Sequence, residues 1–104
     1  MKTDRELLEL AAKAAGMNTR EFATDSITRW HWRDDGTHTA WNPLTDDGDA
    51  LRLAVQLRLI VRCYDGSVIV DGGGINVEEH DLSNYNAATR RAITRAAAAI
   101  GERE

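Results

Sequence analysis

The chain has 104 residues, a hydrophobic fraction of 42%, a single cysteine and a formal net charge of −4. Its length fits one domain and leaves no room for two. The longest apolar run, Ala96 to Ile100, is far below the roughly 18 residues of a membrane span. The opening Met1-Lys2-Thr3-Asp4-Arg5-Glu6 has no apolar signal core. The expectation is a protein that touches no membrane and stays in the cytoplasm, where one unpaired Cys63 fits a reducing compartment. The acidic balance argues against non-specific nucleic-acid binding, because polyanions favour basic proteins.

Thr3 and Glu6 have the spacing of a capping box, in which each side chain satisfies an orphan backbone donor of the first turn. Leu7, Leu8, Ala11, Ala14 and Ala15 follow at helical spacing, and Gly16 supplies a stop, so a helix is predicted over about 4–15. Residues 17–26 carry no period and read as a connection. Residues 27–33 alternate as a half-buried strand does, and Asp35-Gly36 is a favoured two-residue hairpin turn, with both turn residues at positive φ. That loop would set Trp30 opposite Trp41 and Trp32 opposite Thr39, collecting the three tryptophans on one face. Arg29, His31, Arg33, His38 and Ala40 would share the other, with His31 and His38 a diagonal pair.

Pro43 closes this hairpin. Thr45-Asp46-Asp47-Gly48-Asp49 then opens a second helix, placing acidic groups where the helix dipole favours them. Ala50, Leu51, Leu53, Ala54, Val55 and Leu57 make that helix apolar over much of its surface, which predicts a central position. A strand at about 59–64, the turn Asp65-Gly66 and a return over 67–70 form a second hairpin. Its parity groups Val61 and Cys63 with Val68 and Val70 and predicts a buried, inert thiol. Asp71-Gly72-Gly73-Gly74 reads as a flexible connection, and 75–77 as a short edge strand. Ser83 or Asn84 caps a last helix over about 85–100. The predicted fold is α+β, in the order α-β-β-α-β-β-(β)-α.

Several groups are candidates for function, each with a plainer structural alternative. Trp30, Trp32 and Trp41 are either core beneath the helices or partly exposed anchors of an interface, where tryptophan is enriched. Stacking on nucleic-acid bases is a narrower version of the second role. Asp46, Asp47 and Asp49 suggest a calcium loop, but the register required of such a loop fails and helix capping accounts for them. His31, His38 and His80 do not have the converging spacing zinc needs. Arg91 and Arg95 are neighbours on the last helix and would bind phosphate or an acidic partner, unless nearby carboxylates pair with them. No nucleophile–base or carboxylate pair is discernible, so the expectation is neither an enzyme nor a cofactor or metal protein.

The segment Trp41-Asn42-Pro43-Leu44-Thr45-Asp46-Asp47-Gly48-Asp49-Ala50-Leu51-Arg52-Leu53-Ala54-Val55 resembles a motif of a family of small proteins encoded by phages and prophages of proteobacteria. Residues 5–16 and 87–101 are similar to that family as well, so the resemblance covers roughly half the chain. It carries no catalytic role. What it implies is context: accessory genes of this size often encode proteins that bind and inhibit or redirect a host protein, including anti-defence factors directed at systems such as CRISPR–Cas. The favoured expectation is therefore an accessory protein that binds a host protein in the bacterial cytoplasm. The rival is a small nucleic-acid-binding regulator that uses the arginines of the last helix.

Overall fold

The structure, a computed structural model, describes residues 2–17, 19–21, 29–32, 38–80 and 83–104, and at 19–21, 29–32 and 38 only the backbone. The fold is α+β, in the order α1 (Asp4–Ala14), β1 (Thr19–Glu21), β2 (Arg29–Trp32), β3 (His38–Trp41), α2 (Asp47–Gln56), β4 (Ile60–Tyr64), β5 (Ser67–Gly72), β6 (Ile75–Glu79) and α3 (Tyr85–Glu102). The six strands make two antiparallel three-stranded sheets, β1-β2-β3 and β4-β5-β6.

The predicted helix ends are present. The Thr3 hydroxyl accepts from the Glu6 N–H while the Glu6 carboxylate accepts from the Thr3 N–H, and these bonds hold the Glu6 carboxyl below its ordinary pKa. Gly16 (φ +67°) closes α1 with paired bonds, Gly16 N–H to Lys13 C=O and Met17 N–H to Ala12 C=O, the double signature of a left-handed C-terminal cap. Asp46 caps α2 and Asn84 caps α3. At the end of α2 the same cap recurs without a glycine: Arg58 takes φ +56° while Leu59 N–H bonds to Ala54 C=O.

One core joins α1, α2, α3, the second sheet and Trp41. Along the α1–α3 contact small residues face each other (Ala11, Ala12 and Ala15 against Ala92, Ala96 and Ala97), so the two helices approach closely. Leu8, Val68 and Val70 are fully buried, each contributing about 1.5–3 kcal/mol by leaving water.

Five expectations need correction. A short strand, β1, stands within the segment predicted to be a connection and pairs with β2 (Arg20 opposite Trp30). In the first hairpin Trp30 stands opposite Ala40, Arg29 opposite Trp41, and Trp32 opposite His38. The register is therefore shifted by one from that of a two-residue loop, which exchanges faces along one strand relative to the other. Trp41 then no longer shares a face with Trp30 and Trp32, and His31 and His38 do not form a diagonal pair. The turn residues 33–37 lie outside the described residues.

Next, α2 is not central: Leu53 and Ala54 are buried, but Leu51 and Val55 are 64% and 68% exposed. The segment 71–74 is no flexible link. Gly73 and Gly74 (φ +56° and +81°) form a two-residue turn between β5 and β6, closed by the pair Gly72–Ile75, and both sheet strands are longer than predicted. Finally, Asp65-Gly66 does turn the β4–β5 hairpin in the predicted register, with Val61 opposite Val70 and Cys63 opposite Val68. Yet Cys63 is exposed. The reason lies in the third layer: α3 lies mainly over β5 and β6, leaving the β4 margin of the same face uncovered. Only Gly66 in that turn has positive φ, the sign pattern of a type II rather than a type I′ turn.

Candidate functional site

The acidic cluster proves to be a structural clasp. Asp46 accepts from the Asp49 N–H at 2.8 Å. The buried Asp49 carboxylate accepts from the Asn42 N–H at 3.0 Å and from Arg52 at 2.8 Å. The bond to Asp49, more than its charge, raises the pKa of the Arg52 guanidinium. Asn42 in turn bonds its Oδ1 to the Leu44 N–H and its C=O to the N–H groups of Thr45 and Asp46. Asp47 pairs with Arg90 at 2.6 Å, and Arg90 also donates to the Leu44 C=O. The Trp41–Asp49 segment thus fixes the entry to α2 and fastens it to α3.

The basic residues of α3 are neutralised in the same way. Arg91 pairs with Asp4 at 3.0 Å, Arg95 with Glu79, and Lys2 with Glu102 at 2.7 Å. Lys2, Glu79, Arg91, Arg95 and Glu102 line a cleft of about 510 Å³ beside α1, α3 and β6. Its charged side chains are paired, although most remain partly exposed. Of the tryptophans, Trp41 is buried in the core, and the side chains of Trp30 and Trp32 lie outside the described residues. His80 bonds to Glu78 at 2.7 Å, and among the described residues no three His, Cys, Asp or Glu side chains converge. None of the described helices is long and apolar enough to cross a membrane.

An apolar surface lies beside these ion pairs. A groove of about 320 Å³ runs between α2 and α3 with β4 as its floor, lined by Ala50, Leu51, Ala54, Val61, Cys63 and Ile93. The Asp47–Arg90 ion pair stands in its wall. Around it, Leu51 and Val55 project from α2, one turn apart. Ile60 and Tyr64, 52% and 49% exposed, lie on the other face of β4. Among the described residues, four of the five large apolar side chains that are exposed are therefore carried by α2 and β4. Scattered apolar residues are normal on a surface, and Leu51 and Val55 are set apart by standing on the helix that walls a groove. The sequence offered a signal for it in the breadth of the apolar stripe of α2, which exceeds what one buried face requires.

The groove can hold an apolar side chain or a helix edge, and Cys63 adds a reachable thiol. No family model matches the chain, and no curated protein or solved structure is significantly similar to it.

Proposed function

We propose that this chain is a protein-binding module whose contact surface is the α2–β4 margin, and that its partner is a host protein. The observation that carries this reading is a contrast. The arginines of α3 are engaged in ion pairs with Asp4, Asp47 and Glu79, whereas Leu51 and Val55 are left facing solvent beside an open groove. Apolar anchors at the centre of a patch dominate protein interfaces, and charges at a rim contribute less. The resemblance to phage and prophage accessory proteins supplies the biological class: a factor acting on a host protein, with a defence complex as the sharper form. The nucleic-acid rival loses ground, since Arg91 and Arg95 would have to break their pairs with Asp4 and Glu79 to reach phosphates.

The test compares two double variants in affinity capture from the host bacterium. Leu51→Asp/Val55→Asp alters only exposed positions and should lose the partner retained by the unmodified protein. Arg91→Ala/Arg95→Ala should keep it. The opposite pattern, together with nucleic-acid binding that weakens steeply with salt, would establish the rival.

A further inference from the structure

The β4 edge has a second property, independent of any host partner. We infer that β4 pairs with the β4 of a second copy of this chain, antiparallel and about a two-fold axis at Arg62, joining two three-stranded sheets into one of six strands.

Among the described residues, the sheet order leaves β4 with a neighbour on one side only. The two-residue loop closed by Tyr64 and Ser67 makes that pair hydrogen-bonded, and alternation gives the same role to Arg62–Ile69 and Ile60–Asp71. The N–H and C=O groups of Val61 and Cys63 therefore point toward the open edge. A two-fold axis at Arg62 sets Val61 of each copy opposite Cys63 of the other, so every one of these groups finds a partner. An axis at Val61 or at Cys63 would leave half of them without a strand residue to meet.

Side chains favour the same register. It sets Ile60 against Tyr64 of the second copy, twice, as the closely spaced kind of cross-strand pair. Both residues are about half exposed in the single chain. Arg62 would meet its own symmetry mate, but its charge is already matched by Asp71 at 2.9 Å. Charge complementarity selects a second copy over any other strand. Arg58 precedes β4 and Asp65 follows it, both exposed, and neither has a side-chain partner among the described residues. In the proposed register Leu59 faces Asp65 of the second copy, which brings Arg58 beside that carboxylate at both ends of the junction. Arg58 is also held in a left-handed conformation unfavourable to a side chain, so it stands fixed at the strand entrance.

Natural edges are usually blunted by lysine, proline or a bulge. Ile60-Val61-Arg62-Cys63-Tyr64 has no lysine, proline or bulge, its one charge, on Arg62, is matched by Asp71, and all five residues pair in unbroken register with β5. The other edge, β6, is guarded: it carries Glu78 and Glu79, and Arg95 of α3 reaches across to both.

Sedimentation equilibrium over a range of concentrations tests this. The unmodified chain should be a reversible dimer. Arg58→Asp or Asp65→Arg alone should weaken it by about tenfold through two like-charge contacts, and combining the two should restore it, since the pairs are then reversed. Val61→Pro removes an outward N–H at a position where an edge strand tolerates proline; it should give a monomer with unchanged circular dichroism. A chain that stays monomeric up to about 1 mM would overturn the inference. So would a dimer indifferent to both the charge reversals and Val61→Pro, and neither result would bear on the capture of a host partner.

Discussion

Gly101 sits where α3 meets α1, and no other residue fits there. A Cβ built on it would lie 2.0 Å from the Leu10 carbonyl oxygen, which belongs to the rigid backbone of α1 and cannot swing away. Gly101→Ala should therefore push the two helices apart and cost about 3 kcal/mol or more, beyond the usual range for overpacking, as read by urea denaturation. Gly16 makes a useful contrast, because its requirement is conformational: a Cβ there would meet nothing within 4 Å, but its φ of +67° is unfavourable to other residues. The Gly16 requirement can be read in sequence as a helix stop. That of Gly101 cannot, because it arises from a helix more than eighty residues away.

At the scale of elements, the three aspartates before α2 separate into distinct roles. Asp49 is buried and is the acceptor for the Asn42 N–H, so Asp49→Ala should orphan a buried donor and lower stability by about 1–3 kcal/mol. Asp47 is exposed and its link to Arg90 is a surface pair, so Asp47→Ala should change stability by less than about 1 kcal/mol. Thermal denaturation of the two variants side by side checks the ordering. Local rules made much of this fold legible: the capping box at Thr3, the cap at Asn84, the stop at Gly16 and the Val61–Val70 register all depend on neighbours in sequence or on a short turn. Two errors have physical causes. A two-residue loop at Asp35-Gly36 predicts one register, and five residues separate the last observed pair, Trp32 and His38. For Cys63, strand parity correctly gives the face. Which part of that face a helix covers is decided by where α3 packs.

At the scale of the whole molecule, carboxylates of α1, α2 and β6 match the arginines of α3, and large apolar side chains are left exposed on α2 and β4. Composition alone points the other way: 17 acidic and 13 basic residues suggest a surface that works by charge. Three ion pairs among them join α1 to α3, α2 to α3 and β6 to α3, distances no local pattern encodes. The exposure of Leu51 and Val55 depends on tertiary packing in the same way: the breadth of the α2 stripe hints at it, but which of its residues stay outside is decided by how α2 packs. The α2–β4–α3 groove is open in the free chain, and Cys63, the chain's single cysteine, lines it and reports directly on whether contact closes it. The decisive measurement is the rate of Cys63 alkylation in native protein. In dilute solution it should approach the rate in denaturant, and it should slow as the chain concentration rises or as the captured partner is added. A native thiol that is protected in dilute protein, or one whose rate ignores both, would contradict the account.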